Sequence, residues 1–316
     1  MNIKSILERL NTINYNSDGY VLFKINNIND VYFGRDAKGY IVFVIESSSP
    51  QVKPSSQITK DLRFDFNSCA EIILDGQKLT KYIHMLTCLS NNSSDIEAFL
   101  RLSQAFVLNG NINDINYLNK LFNSFVSLFA KESKPTDKEI QGLFAELFVL
   151  YYFEKLGFNL YDYWQSKDKM KFDFSITEKK RLEIKSTSRQ VRIHHFLHEQ
   201  LLTDFYDIKI ISLIMRKADK GLSLLDLVNE IRNSKSANYN ILLHIEKLVK
   251  KLTQSDMANC IYDNTILESQ LKIFSAEDIP HFNEKQPNGV FNTEYDCDLT
   301  NIKDIAIKDL INWIKI

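Results

Sequence analysis

The sequence predicts a mixed α/β chain of α+β character, in which a β-rich N-terminal part precedes a larger part built from helices and strands. Three observations predict it. The first ninety residues hold four short apolar or alternating runs separated by polar and glycine-containing turns. Residues 137–156 are of helical length and contain a nearly continuous apolar run from Leu143 to Phe153. Residues 171–187 alternate apolar and charged side chains with the period of a strand, and the apolar run 208–217 follows.

A length of 316 residues suggests about two domains. The boundary is placed near residue 110, giving an N-terminal β-rich domain over 1–110, for recognition or assembly, and a second domain over 111–316. With 44% hydrophobic and 25% charged residues the composition is that of a soluble globular chain. No apolar run approaches the roughly 18 residues of a membrane span, and MNIKSILERLNTINYN is polar from its second residue, unlike a signal peptide. The expectation is a cytoplasmic protein with no membrane partner. Cys69, Cys88, Cys260 and Cys297 lack C-x-x-C spacing, so they are read as buried thiols and not as a zinc ribbon or redox pair. A net charge of −1 argues against unspecific coating of nucleic acid. With no internal repeat and no glycine-rich phosphate loop, the chain is not expected to hydrolyse ATP.

In chain order, the expected strands are YVLFKI (20–25), YIVFVIE (40–46), LRFDFN (62–67) and AEIILDG (70–76), with SSSPQVKPSSQ (47–57) as a flexible loop between the second and third. Helical patterns begin near Asp95 and run again from Asp114 to Lys131. The 137–156 helix starts at a capping box, Thr136 with Glu139, after Pro135. It is apolar from Leu143 to Phe153 except for Glu146, so it should be buried and Glu146 should require a partner: a metal site, Lys185, or another buried cation. Beyond the central motif, 208–217 reads as a core strand, 222–233 and 238–252 as helices, ILESQLKIFSA and GVFNTEYDCDL as late strands, and 302–315 as an amphipathic helix.

The chemistry concentrates in KFDFSITEKKRLEIKSTSRQ. On strands, Asp173 faces away from Phe172 and Phe174, and Glu183 and Lys185 share the face opposite Leu182 and Ile184. A hairpin turning at Thr177-Glu178-Lys179-Lys180 would bring the three charged groups together, in a register that the sequence leaves open. Two converging carboxylates repel unless a cation lies between them. Mg²⁺ would suit two carboxylates, the backbone carbonyl of Ile184 and waters, and Lys185 could then hold a water or stabilise charge on a phosphorane. The competing reading is a surface hairpin of solvated Asp, Glu and Lys.

Downstream, RQVRIHHFLHEQLL supplies Arg189, Arg192 and His195 as phosphate contacts, and Gln200 as a partner for a base or for a metal-bound water. The alternative is ordinary solvated side chains on a helix. His194 and His198, four apart, would share a helical face, yet no H-E-x-x-H pattern or nearby Cys supports zinc. From Gln165 to Gln200, nine Lys and Arg stand against five Asp and Glu, a local balance of 9 − 5 = +4 suited to a phosphate-binding cleft.

The ordered set of Glu146 in GLFAELF, Asp173 in KFDFSI and Glu183-Ile184-Lys185 in LEIKSTS resembles the PD-(D/E)XK nuclease superfamily. More narrowly it is similar to an uncharacterised prokaryotic family of restriction-type nucleases, a likeness that extends through VRIHHFLHEQL and covers residues 140–215. The resemblance implies a restriction-endonuclease-like αβββαβ core, Mg²⁺-dependent phosphodiester hydrolysis with Mn²⁺ as the alternative ion, and DNA as substrate in bacterial anti-phage defence. It makes Asp173 and Glu183 metal-binding acids, Lys185 the catalytic lysine, and Glu146 an accessory acid that shares in catalysis and metal binding. A homodimer, or a subunit of a multigene complex with a separate methyltransferase or ATPase, is the implied assembly. Phe172 stands where the motif has proline. The alternatives are a catalytically silent nuclease-fold module for DNA binding or assembly, and an RNA nuclease.

Overall fold

A computed structural model describes residues 2–15, 19–25, 30–47, 56–109, 114–129, 135–164, 171–283 and 286–315. The chain divides into two compact units, one of Met1–Glu132 with Leu242–Lys250, the other of Ser133–Ile241 with Lys251–Ile316. The first unit runs to Glu132 and takes in two helices that follow the strands and pack with them.

In the first unit, α1 (Ile3–Thr12) starts at an N-cap where Asn2 accepts from the Ser5 amide, and it buries Ile6 and Leu10. The strands β1 (Tyr20–Lys24), β2 (Val31–Arg35), β3 (Ile41–Glu46), β4 (Gln57–Ile58), β5 (Leu62–Leu74) and β6 (Gln77–Cys88) lie in the order β1-β2-β3-β6-β5-β4. β1 also pairs in parallel with the far end of β5, Tyr20 opposite Ile72, so five of the strands close into a barrel. Leu22, Val42, Val44, Ile72, Ile83 and Met85 fill one face. The other face meets α2 (Ser93–Asn109) and α3 (Ile115–Phe129), with Phe64 5.7 Å from Phe122 and Phe99 5.1 Å from Phe125. Burial on both faces explains why β2 and β3 read as continuous apolar runs with little alternation.

Two of the expected strands, 62–67 and 70–76, are one strand bent at a bulge where Asn67 adopts φ +43°. Asp75 and Gly76 at φ +51° and +80° then form the tight turn into β6, which the sequence reading did not assign as a strand. The loop expected at 47–57 lies largely outside the described residues.

The second unit opens with α4 (Asp137–Lys155), whose N-cap is the expected capping box of Thr136 and Glu139. Then come β7 (Phe174–Ser175), β8 (Lys180–Thr187), β9 (Ile193–Leu197), β10 (Asp207–Ile214), β11 (Lys217–Ser223), α5 (Leu224–Asn233), α7 (Gln254–Asn259), β12 (Ile261–Tyr262), α8 (Asn264–Ser269), β13 (Lys272–Ser275), β14 (Glu294–Asp298) and α9 (Ile307–Lys315), while α6 (Tyr239–Val249), between α5 and α7, belongs to the first unit from Leu242 onward. The central sheet has the order β13-β10-β8-β7, with β8 and β10 parallel and the outer pairs antiparallel. α4 packs against β8 and α5. A core of Phe172, Phe196, Ile208, Ile210, Phe274 and Leu299, among others, also fills this unit.

The class is mixed α/β, but the αβββαβ order is abbreviated. Among the described residues β7 and a single bridge, Trp164 to Phe174, stand between α4 and β8. The crossover from β8 to β10 is made by β9 and a 3₁₀ turn at His198–Gln200 where the pattern has an α-helix. β9 pairs with β14, which gives that crossover an edge partner of its own. The helix considered for 189–202 is therefore not formed. Of the cysteines, Cys88 and Cys297 are buried, Cys260 is half-buried, and Cys69 is exposed, contrary to expectation.

Candidate active site

The hairpin settles the register that the sequence left open. Phe174 lies opposite Leu182 and Ser175 opposite Arg181, so Asp173, one residue before β7, falls opposite Glu183. The turn is held by Thr177, whose hydroxyl accepts from the amides of Lys179 and Lys180. Phe172, at the proline position of the motif, is buried in the core with its ring 5.8 Å from Tyr206, and this anchors the approach to Asp173 in place of proline's fixed backbone.

Asp173 Oδ2 accepts from the Ile184 amide at 2.7 Å. In a strand the N–H and C=O of one residue point to the same edge, so the Ile184 carbonyl also faces the Asp173 side. Glu183 is only 4% exposed. Its Oε1 accepts from Lys185 Nζ at 2.8 Å and from Gln200 Nε2 at 2.7 Å, while Oε2 is buried without a hydrogen-bond partner. Lys185 Nζ also donates to Gln200 Oε1 at 2.9 Å and lies 5.0 Å from the Phe196 ring centre.

Glu146 comes from α4, and its Oε2 accepts from the Trp164 indole N–H at 2.8 Å. The partner that burial demanded is thus Trp164, a residue the sequence reading passed over. Its only signal was a lone tryptophan shortly after a helix whose apolar run is broken by a single acid. Gln141, on the same helix, reaches Ser186 beside Lys185 at 3.1 Å.

Asp173, Glu183 and Glu146 all hold a proton more tightly than a free carboxyl does. Burial pushes Asp173 well above the usual carboxylate range, and the charges of Glu183 and then Glu146 add to it. Glu183 is raised by burial against the opposing pull of Lys185. Burial lifts Glu146 to about 7, with the Trp164 hydrogen bond opposing and the Glu183 charge adding.

The other residues singled out beforehand sit differently. Arg189 is exposed in the turn after β8. Arg192 is 4% exposed, its guanidinium donating to the Ser212 carbonyl and hydroxyl and to the Gln270 carbonyl, so it ties the start of β9 to the sheet. His195 is exposed but stands between Asp296 at 3.0 Å and Glu294 at 3.2 Å on β14, a setting that repels phosphate. Gln200 is buried and faces inward onto Glu183 and Lys185. His194 and His198 do not share a site: His194 bonds Ser212 at 2.7 Å and His198 bonds Tyr295 at 3.1 Å.

Among the described residues no group of three or more His, Cys, Asp or Glu side chains is gathered so as to hold an ion by itself. A hard divalent cation needs less from the protein, since Mg²⁺ keeps several waters. The donor set here fits that smaller share: two carboxylates across a hairpin, a carbonyl on the same edge, and one buried carboxylate oxygen with nothing to satisfy it.

A mixed sheet that sets an Asp opposite the Glu of a Glu-x-Lys strand, beside a glutamate-bearing helix, defines a protein of the PD-(D/E)XK class. The chain belongs to the family described as "Putative PD-(D/E)XK family member, (DUF4420)", whose profile matches residues 10–300. No curated protein and no solved structure matches it.

Proposed function

We propose that the protein is a metal-dependent DNA endonuclease of restriction type, acting in the cytoplasm in bacterial anti-phage defence. The observation that carries this reading is the pairing of Asp173 with Glu183, beside a Lys185 amine bonded to Glu183. Asp173, Glu183 and the Ile184 carbonyl would hold Mg²⁺ or Mn²⁺, with Glu146 as an accessory acid. Such an ion polarises a phosphodiester oxygen and lowers the pKa of a bound water.

The chain's own groups do the rest. Gln200 and Glu183 each take one hydrogen of the Lys185 ammonium, leaving a third donor for the attacking water or a phosphate oxygen. That amine is only partly exposed, so its charge acts on a developing negative charge with little solvent screening. Cutting both strands of a duplex requires two such sites, which favours a homodimer or a larger defence assembly with a separate methyltransferase or ATPase.

Purified protein incubated with duplex DNA, with and without Mg²⁺ or Mn²⁺, tests the reading. Cutting is expected only with the ion, and Asp173→Ala and Lys185→Ala should each lower it by about 10²-fold or more while circular dichroism stays unchanged. Cutting that survives both substitutions would remove the site. A wild type that binds but never cuts DNA would favour a silent DNA-binding module, and cutting confined to RNA would change the substrate.

A further inference from the structure

The closed barrel of the first unit ends in a cavity of about 310 Å³, within the size range of roughly 300–1,000 Å³ typical of small-ligand pockets and in the barrel mouth where such pockets occur. Its floor is the end of the barrel interior, Tyr20 and Met85, and its walls are Tyr40, Arg63 and the turn bearing Asp36 and Lys38. We propose that this mouth is a pocket for a single nucleobase of a DNA strand.

The polar groups around the cavity are fixed before any ligand arrives. Arg63 is clamped to Asp65 through Nε at 2.7 Å and Nη2 at 3.0 Å, and Asp65, itself buried, accepts also from Ser56 at 2.7 Å. That clamp leaves Arg63 Nη1 as a donor in a set position. Asp36 Oδ1 accepts from the amides of Lys38 and Tyr40 at 3.0 and 2.8 Å, which locks the carboxylate and leaves Oδ2 as an acceptor. The Tyr20 phenol lies among these groups: burial raises its pKa, and the charges of Asp65, Arg63 and Asp36 all act on it.

The charges nearly cancel, two cations against two carboxylates, so the site does not favour a bare anion. A flat, neutral ligand with a donor beside an acceptor fits, and nucleobase edges offer that pair. Two tyrosines and a methionine supply the apolar surface for its rings, and stacking tolerates any base. The choice of nucleic acid rests on the proposed nuclease function; the pocket itself is tested without cutting.

The full chain in EDTA is titrated with short single-stranded deoxyoligonucleotides, with the same strands carrying abasic sites, and with free deoxynucleosides. Fluorescence anisotropy should show saturable strand binding that weakens about tenfold or more on base removal, as expected for one lost base stack. Asp36→Asn, which keeps the turn's Oδ1 acceptor, and Tyr40→Ala should weaken it similarly with thermal melting little changed. Competition by free nucleosides would show that the base alone is recognised; its absence would show that the base must be presented on a strand. Equal binding of intact and abasic strands, or wild-type affinity in both variants, would overturn the proposal. A failed cutting assay leaves this result untouched, and the converse also holds.

Discussion

Gln200 spends its whole hydrogen-bonding capacity inside the site. Its amide donates to the Lys171 carbonyl at 3.0 Å and to Glu183, and its oxygen accepts from Lys185 and from the Leu197 amide at 3.1 Å. It therefore positions an acid and an amine without reaching solvent. Gln200→Leu, close in size but unable to bond, would leave buried partners unsatisfied at a cost of about 1–3 kcal/mol of stability, read as a lower denaturant midpoint. Under the nuclease reading the same change should lower kcat and leave KM for DNA near its wild-type value. A raised KM with intact kcat and stability would instead restore Gln200 to the DNA-contacting role expected from the sequence. Arg192 follows similar logic: its three acceptors lie in the sheet and its neighbour, so an arginine that the sequence offers as a phosphate contact is a cross-tie.

At the scale of elements, the site hangs on the short segment from Leu160 to Trp164 as well as on the hairpin. Tyr161 bonds Glu154 at 2.8 Å and Trp164 bonds Glu146, two attachments to α4, while the Trp164–Phe174 bridge attaches the segment to the strand that follows Asp173. Helix acid and hairpin acid are thereby tied together. Trp164→Phe keeps an aromatic, though smaller, ring and removes the N–H, and the loss of about 1 kcal/mol expected for one hydrogen bond should weaken Mg²⁺ binding several-fold by calorimetry. Because the chain has only two tryptophans, Trp313→Phe isolates the Trp164 emission, which should shift as the ion binds. Unchanged affinity in Trp164→Phe, together with an emission blind to the ion, would reduce the segment to packing. The hairpin, α4 and β10 were legible in the sequence because each carries its own periodicity or cap. Trp164 and β6 were not: a long-range bond to an indole leaves no local pattern, and β6 alternates weakly where its solvent-facing half, from Gln77 to Tyr82, gives way to a fully buried one. The 3₁₀ turn at His198–Gln200 was likewise hidden, since the apolar spacing around it suits a helix as well as the strand β9.

For the molecule as a whole, the site makes stability depend on pH in a direction opposite to that of ordinary salt-bridged acids. Asp173, Glu183 and Glu146 all have folded-state pKa values above their unfolded ones, so the folded chain binds more protons than the unfolded chain. Their contribution is fully present below the unfolded carboxylate range and is lost as pH rises through the folded values, about 7 for Glu146. His194 works the other way. Burial first, then Lys185 and Arg192, lower it to about 4, so its contribution is present above about 6.5 and is lost as pH falls towards 4. With three acids against one histidine, ion-free protein in EDTA should lose melting temperature between about pH 5 and pH 7.5 relative to Asp173→Asn, whose site carries one carboxyl fewer. Added Mg²⁺ or Mn²⁺ should reverse the loss, with a gain that grows over the same window because the ion requires deprotonated carboxylates. At saturating ion a hundredfold above its dissociation constant the gain is about 2.7 kcal/mol, or roughly 2–4 °C per kcal/mol for domains of 150–250 residues. If wild type and Asp173→Asn show the same pH slope in EDTA and neither responds to the ion, the three carboxyls are not the interacting set described above, and the metal-dependent reading fails with them.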